Sequence, residues 1–126
     1  MNKTLLTLAE LPPSVNSIYR HTKRGIFRTD AYNTWANGEG WRLKSQIANQ
    51  PKWNEPVYIV GRFRRPRTNS DLDNRLKGIA DLLQQLGVIE NDRLIEGWNV
   101  CWSLDLPEGV AAEIALTQAD STLKAA

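Results

Sequence analysis

Apolar residues recur between positions 72 and 86 with the spacing of a single helical stripe. Steps of four, three, four and three residues separate them, so on an α-helix they share one face. The stripe consists of Leu72, Leu76, Ile79, Leu83 and Leu86. Gly87 follows at the position where a residue in the left-handed conformation commonly ends a helix. The pattern therefore predicts an amphipathic helix with one buried face.

Runs of β-branched, aromatic and alternating apolar residues predict strands on both sides of this helix. The four predicted strands are residues 3–8, 57–64, 95–104 and 110–117. The second of these gives the clearest signal, because it follows Pro56 and ends before Pro66. In the third strand, alternation predicts that three residues share one face of the sheet: Trp98, Val100 and Trp102.

The segment between the first two strands is predicted to hold a basic loop and a second helix. The loop, residues 19–28, is compatible with a small hairpin around Gly25. Thr29 or Asp30 is positioned to cap a helix that reaches about residue 49. The candidates for its buried side are Tyr32, Trp35, Leu43 and Ile47. The resulting order, β-α-β-α-β-β, predicts an α+β fold in which a mixed β-sheet carries two main helices.

Length and composition limit the class of protein. With 126 residues and 41% hydrophobic content, the chain is predicted to form one small domain over residues 1–126. Its one cysteine, Cys101, excludes an intrachain disulfide and favours a reducing compartment. No apolar run approaches the roughly 20 residues that cross a bilayer, and the first residues are too polar for a signal peptide. We therefore expect a cytoplasmic protein with no membrane partner.

The charges are divided unevenly along the chain. Residues 1–67 hold twelve Lys and Arg against four Asp and Glu, whereas residues 68–126 hold four against ten. Such a division indicates a basic surface that faces a polyanion, with acidic residues gathered for another purpose. Alternatively, two oppositely charged surfaces meet within the folded chain or in a dimer. Charge alone leaves both interpretations open, and nucleic acid is the partner in the first.

Four charged residues near the leucine stripe form the candidate chemical site. Asp71 and Asp73 stand at the start of the predicted helix, and Lys77 follows one turn later. Asp92 is 19 residues beyond Asp73. The helix advances about 20 Å, and the extended chain after Gly87 can return about the same distance. Asp92 can therefore reach the start of the helix, beside Asp71 and Asp73. Three carboxylates brought together would repel one another unless a divalent cation held them, and Mg²⁺ prefers such oxygen ligands.

The same residues are equally compatible with a purely structural role at the start of a helix. Ser70 is positioned as a cap residue and Asp73 as the acidic residue three positions later, as in a capping box. Asp73 and Lys77 also have the spacing of a surface ion pair. Spacing alone leaves capping and metal binding open. A cysteine or serine side chain as catalytic nucleophile is poorly supported, because the one histidine, His21, lies in the basic loop and Cys101 lies in a predicted strand.

Three short motifs, in this order, resemble a known family. Residues 12–19 read Pro-Pro-Ser-Val-Asn-Ser-Ile-Tyr, residues 71–77 read Asp-Leu-Asp-Asn-Arg-Leu-Lys, and residues 87–92 read Gly-Val-Ile-Glu-Asn-Asp. Asp81 stands at a further acidic position of the pattern. With these spacings the chain resembles the RusA family of Holliday-junction resolvases, the crossover junction endodeoxyribonucleases, over most of its length.

The resemblance implies a homodimer that acts on four-way or branched DNA in recombination and repair. Cleavage would occur by paired symmetric nicks with Mg²⁺, or with Mn²⁺ in its place. The resemblance also implies that Asp71, Asp73 and Asp92 are the metal ligands and that Lys77 is an essential catalytic cation. Asn91 departs from the family pattern, in which two acidic residues often stand together. This departure bears on the charge of the site and not on its existence, because Asp92 is retained.

Two groups of basic residues are predicted to contact DNA phosphates. The first group, in the basic loop, consists of Arg20, Lys23, Arg24 and Arg28. The second group, around the end of the second strand, consists of Arg62, Arg64, Arg65 and Arg67. Each of these residues is equally well explained as solvated surface charge. Trp98 and Trp102 are candidates either for the dimer interface or for the core of the monomer.

Two other classes of function stay open from the sequence. A nucleic-acid-binding phage or recombination module without nuclease activity would keep the basic residues but would not need the three aspartates. A structural α+β dimer would show no tight, salt-dependent affinity for DNA. Substitution of the aspartates and the salt dependence of DNA binding separate these two classes from a nuclease.

Overall fold

A computed structural model of the chain describes residues 3–66 and 71–119. The strands of this part of the chain are β1 (Lys3–Leu8), β2 (Tyr19–Thr22), β3 (Gly25–Arg28), β4 (Val57–Phe63), β5 (Ile95–Trp102) and β6 (Ala112–Gln118). Its α-helices are α1 (Asp30–Ile47) and α2 (Leu76–Gln85). Every predicted strand and helix is present, with ends that differ by a few residues. Neither helix is long and apolar enough to span a bilayer.

Strands β1, β6, β4 and β5, in that order, form a mixed four-stranded sheet. β4 and β5 run parallel, while β6 is antiparallel to both β1 and β4. A parallel pair needs a crossover connection, and α2 lies in the connection between β4 and β5. The predicted α+β fold, with a mixed sheet and two main helices, is confirmed.

Both helices cover the same face of this sheet. Alternate residues of β1 and β4 are buried toward them, and one core joins these residues with the inner sides of α1 and α2. The largest fully buried side chains of this core include Tyr32, Phe63, Leu43, Ile79 and Leu83. On the opposite face, Leu5 and Val60 are 66% and 45% exposed. Within the described residues, the sheet is therefore covered on one side.

Helix α1 begins where the sequence places its cap. Oγ1 of Thr29 accepts a hydrogen bond of 3.2 Å from the backbone N–H of Tyr32, which satisfies one of the free donors at the helix start. Tyr32, Trp35 and Leu43 are buried as predicted, and Ile47 packs partly buried against the core. The residues of β5 that were predicted to share a face also pack against this core: Trp98, Val100 and Trp102.

Helix α2 begins later than the leucine stripe predicts. Asp73–Arg75 form one turn of 3-10 helix, and the α-helix starts at Leu76. Leu72 therefore precedes both turns, although it still packs partly buried against the core. The predicted cap residue Ser70 lies outside the described residues. At the other end, Gly87 has a φ of 76°, which confirms the predicted left-handed residue.

The first turns of α2 lie close against the segment that precedes β2. A Cβ atom on Gly78 would come within 2.6 Å of the Cβ atom of Pro12, so glycine alone permits this approach without a shift. Nearby, the guanidinium of Arg75 donates a hydrogen bond of 2.7 Å to the carbonyl oxygen of Pro12. The segment of residues 12–19 is therefore held against the start of α2.

Strands β2 and β3 form the predicted hairpin, which is separate from the four-stranded sheet. Thr22 pairs with Gly25 across a two-residue turn of Lys23 and Arg24. Gly25 has a φ of 131°, a conformation that favours glycine. The last residue of the hairpin, Arg28, leads directly into the cap of α1.

Candidate active site

Lys77 lies in the first turn of α2 between two carboxylates. Its Nζ atom is 2.9 Å from Oδ1 of Asp81, four residues later on the helix, and 3.4 Å from Oδ2 of Asp92. The hydrogen bond with Asp81, helped by the negative charges of Asp81 and Asp92, raises the pKa of Lys77 above its ordinary value, although partial burial acts in the opposite direction. Lys77 is therefore a cation throughout the neutral pH range.

Asp81 is the buried member of this group, with 7% of its side chain exposed. Oδ1 faces Lys77, while Oδ2 accepts a hydrogen bond of 3.0 Å from the hydroxyl of Tyr19. Burial of a charged carboxylate is costly unless a countercharge and hydrogen-bond donors compensate for lost water. Lys77 supplies the countercharge, and the hydroxyl of Tyr19 supplies a hydrogen-bond donor. Asp81 therefore holds Lys77 in place and ties the hairpin to α2.

Asp92 reaches α2 from the far end of the connection. The chain turns back after Gly87, and Asp92–Leu94 form a turn of 3-10 helix. The backbone N–H of Asp92 donates a hydrogen bond of 2.7 Å to Oε1 of Gln84. The ion pair between Lys77 and Asp92 confirms that the chain returns to the start of α2, but Asp92 does not form the predicted cluster with Asp71 and Asp73.

Asn91, the residue that departs from the family pattern, caps the turn that carries Asp92. Its Oδ1 atom accepts a hydrogen bond of 2.9 Å from the backbone N–H of Arg93. Aspartate and asparagine are about equally good in such a position. An asparagine here therefore keeps the turn and leaves one negative charge fewer beside Asp92.

Asp71 and Asp73 stand on the surface before α2. Both are exposed, and Oδ2 of Asp71 accepts a hydrogen bond of 3.3 Å from the side-chain amide of Asn74. Asp73 opens the 3-10 turn, which starts without a side-chain cap. Among the described residues, no group of three or more His, Cys, Asp or Glu side chains is close enough to hold a metal ion. The structure brings Asp92 to Lys77 but does not gather the three aspartates into one cluster.

The chemistry of these three aspartates nevertheless fits a hard divalent cation. Asp71 and Asp73 are exposed and Asp92 is half-buried, so all three carboxylates reach solvent. Carboxylate oxygens are the ligands that Mg²⁺ prefers, usually together with water and phosphate oxygens. Asp81 differs from them, because it is buried and both of its oxygens have partners in the protein.

The basic residues around the end of β4 are engaged within the fold. Arg62 forms an ion pair with Glu113 of the neighbouring strand β6. Arg65 lies over the ring of Trp102, with 5.2 Å between its guanidinium carbon and the ring centroid. The guanidinium of Arg64 donates hydrogen bonds to three carbonyl oxygens between β5 and β6, those of Leu106, Pro107 and Val110. One predicted member of this group lies outside the described residues: Arg67.

The basic residues of the hairpin face solvent. Arg20, Lys23 and Arg24 are exposed, and the hairpin sequence contains no Asp or Glu. Arg28, at its base, lies over the ring of Tyr32, with 5.2 Å between its guanidinium carbon and the ring centroid. Of the two predicted basic groups, the hairpin therefore presents its cations more openly to a ligand.

Comparison with known proteins identifies the family. The family model of endodeoxyribonuclease RusA matches residues 10–114. The chain belongs to the RusA family. It is thus an endodeoxyribonuclease, and the family that its motifs indicated is confirmed. Among curated proteins, the crossover junction endodeoxyribonuclease RusA of Aquifex aeolicus (strain VF5) is 29% identical over 96 residues, which cover 75% of this chain and 76% of that protein.

The sequence of this RusA-family chain did not predict the residues that position Lys77 and Asp92. Asp81 was placed only by resemblance, and neither Tyr19 nor Gln84 was given a role at the site. A signal for Asp81 was present, because it is a charged residue four positions after Lys77 in a predicted helix with one buried face. The contact with Tyr19 depends on the tertiary fold, so spacing alone does not predict it.

Proposed function

We propose that this chain resolves four-way and related branched DNA junctions by cutting their strands. The observation that carries the proposal is the placement of Lys77 between Asp81 and Asp92 at the start of α2, in a chain of the RusA family. A relative named crossover junction endodeoxyribonuclease supports the choice of substrate. The reaction is hydrolysis of one phosphodiester bond in each of two strands, at positions related by symmetry.

Asp71, Asp73 and Asp92, which do not form a cluster in this structure, are the residues that would have to come together to hold a divalent cation, Mg²⁺ or Mn²⁺. Their oxygen chemistry and their access to solvent support this assignment. When bound, such an ion supplies Lewis acidity toward water and the scissile phosphate. Asp81, buried and paired, is a positioning residue and lies outside the proposed ligand set.

Lys77 stabilises the negative charge that develops on the phosphate during cleavage. Its raised pKa keeps the ammonium group protonated at neutral pH. Positive groups aimed in advance at developing charge contribute a large part of enzymatic rate enhancement. Asp81, itself held by the hydroxyl of Tyr19, positions this ammonium before the substrate arrives, so less ordering is required in the transition state.

The hairpin is the proposed main contact with DNA phosphates. Its exposed cations, Arg20, Lys23 and Arg24, support this role. Arg28, Arg62, Arg64 and Arg65 have partners within the fold, so their proposed part in phosphate binding is secondary. Arg67 stays a prediction. Each neutralised phosphate releases counterions, so the affinity for DNA falls steeply as salt increases.

A homodimer would supply two active sites related by a two-fold axis, as paired symmetric nicks require. Trp98 and Trp102 pack partly buried against the core of their own chain, which favours a role in the core of the monomer over a role in the dimer interface. The uncovered face of the sheet, with exposed Leu5 and Val60, is an apolar surface that a second copy would cover.

The deciding experiment is incubation with a synthetic four-way junction, with and without Mg²⁺. We expect paired nicks that depend on the metal, while a linear duplex of the same sequence stays intact. Tight junction binding without nicks in Mg²⁺ or Mn²⁺ would favour the non-catalytic DNA-binding module. Absence of salt-dependent junction affinity would favour a structural dimer.

A further inference from the structure

One face of the hairpin combines an exposed aromatic ring with cations. Phe27 is 45% exposed. It lies directly opposite Arg20 in the hairpin register, so the two side chains share a face. Lys23 and Arg24 form the turn next to them. An apolar ring is thus held in solvent among positive charges.

These residues line a shallow concavity of about 420 Å³, bounded by Arg20, Thr22, Lys23, Arg24 and Phe27. Sites for small ligands are commonly about 300–1,000 Å³. The concavity offers one aromatic surface and three cations, and the hairpin has no acidic residue to oppose an anion. Its charge and shape therefore fit a ligand with a flat ring and a phosphate.

The opposite face of the hairpin is fixed to the body of the molecule. Tyr19, on that face, donates its hydrogen bond to Asp81, and Arg28 lies opposite Tyr19 and over the ring of Tyr32. The hairpin is thus anchored at its first and last residues, while Phe27 faces away from these contacts. The anchor itself is part of the network that holds Lys77.

We propose that Phe27 stacks on a base whose face is exposed at the branch point of the DNA while Arg20, Lys23 and Arg24 hold the adjacent phosphates. The inference rests on the proposed function and names the part of the substrate that this face recognises. Every base has a flat π-face, and aromatic rings beside cations are a common platform for single strands. Bases inside a duplex are already stacked on both sides, so this platform selects the branch point over the arms.

The test is a double-mutant cycle between Phe27 and a base, measured without metal. One ligand is a single-stranded oligothymidine, and the other has the same length and charge but abasic central positions. The wild-type protein is expected to bind the oligothymidine about tenfold more tightly. Phe27→Ala should bind the two ligands equally. Phe27→Trp should keep the difference, because indole also stacks on bases.

Ile26→Ala is the matched control, because Ile26 is also an exposed apolar residue, 64% exposed, but shares the other face with His21. This variant should discriminate between the oligonucleotides as the wild type does. Equal binding of both ligands by the wild type would overturn the inference, even if Phe27→Ala did not fold. Identical behaviour of Phe27→Ala and Ile26→Ala would also overturn it. So would a lower sedimentation mass of Phe27→Ala without DNA, since that result would assign Phe27 to a protein contact.

The stacking role of Phe27 and the proposed nuclease function can be rejected independently of each other. The cycle measures single-strand binding without metal, whereas the function is tested by metal-dependent nicking of a junction. A wild-type protein that nicks junctions but binds both oligonucleotides equally contradicts the inference alone. A protein that discriminates between them but never nicks a junction contradicts the proposed function.

Discussion

The hydroxyl of Tyr19 donates a hydrogen bond of 3.0 Å to Oδ2 of Asp81, across a separation of 62 residues. The contact joins the first residue of the hairpin to the middle of α2. It leaves Oδ1 of Asp81 for Lys77, so the position of the lysine depends on a residue far from it in the sequence. The candidate active site is therefore supported by the hairpin as well as by α2.

Asp81→Asn is expected to slow junction cleavage by roughly tenfold to a hundredfold with little change in junction affinity, because Lys77 loses the charge that orients it. The same change should lower the pKa of Lys77 toward its ordinary value of 10.5. The fraction of protonated Lys77, and with it the cleavage rate, should then decline at a lower pH than in the wild type. Single-turnover rates and an NMR titration of the lysine side chain measure both effects.

Tyr19→Phe should reduce the cleavage rate less than Asp81→Asn does. It keeps the ring and removes only the hydrogen bond to Asp81, so the ion pair with Lys77 persists and the loss of rate should be smaller. An unchanged Lys77 pKa and cleavage rate in Asp81→Asn would contradict the positioning role.

Asp71→Asn, Asp73→Asn and Asp92→Asn should each abolish cleavage while junction binding is kept or strengthened. Each change removes a hard oxygen ligand and a negative charge that repels phosphate. Lys77→Ala should also stop cleavage but should weaken binding slightly, since it removes a positive charge. Nicking assays and binding titrations with the same junction give the two quantities.

The control for these variants is a purely structural role in the turn. Asparagine can accept the hydrogen bond from the side-chain amide of Asn74 as aspartate does, so Asp71→Asn would be nearly silent if holding this turn were its whole role. Thermal unfolding in parallel separates a lost site from a lost fold. Wild-type nicking rates in both Asp71→Asn and Asp92→Asn would show that the proposed metal ligands are wrong.

Gly78→Ala should destabilise the fold by about 1–3 kcal/mol, because the new Cβ atom would meet Pro12 at 2.6 Å. Gly38→Ala is the matched control within a helix, since its nearest neighbour there is an Arg42 side-chain atom at 3.8 Å. That change should stabilise the protein by roughly 0.5–1 kcal/mol. Urea unfolding measures both, and equal effects would contradict the close packing of α2 on Pro12.

Arg64→Ala should cost roughly 1–3 kcal/mol of stability, because three carbonyl oxygens between β5 and β6 lose their donor. Arg62→Ala should cost little, since Arg62 and Glu113 form an exposed pair. Urea unfolding of each single variant tests the difference. In a variant that lacks both Arg62 and Arg64, a loss of DNA affinity would reflect lost stability as well as lost phosphate contacts, so the single variants are needed to separate the two effects.

Local pattern predicted most of the fold. The alternation in β1, the cap at Thr29 and the left-handed Gly87 were all confirmed. The predicted helix begins at Asp73 as a 3-10 turn and becomes an α-helix only at Leu76, because Leu72 and Leu76 have a spacing that a 3-10 turn followed by an α-helix also accommodates. Apolar spacing does not distinguish these two helical forms over a single turn.

The candidate site was predictable only in part. Chain length was sufficient to bring Asp92 back to the first turn of α2, where it meets Lys77. The hydrogen bond between Tyr19 and Asp81 was not predictable, because it requires the segment before the hairpin to pack on α2. Likewise, charge counts do not show that Arg64 turns toward backbone carbonyls.

The parallel pairing of β4 and β5 has a consequence for the order of events during folding. The strands can join only after the intervening chain, which includes α2, has closed as a crossover. Contacts between distant segments form late, because the loop must be closed before they stabilise the chain. The hairpin, built from neighbouring residues, needs no such closure. The pairing of Lys77 with Asp92 joins the two ends of this connection, so the candidate active site is complete only once the crossover has closed.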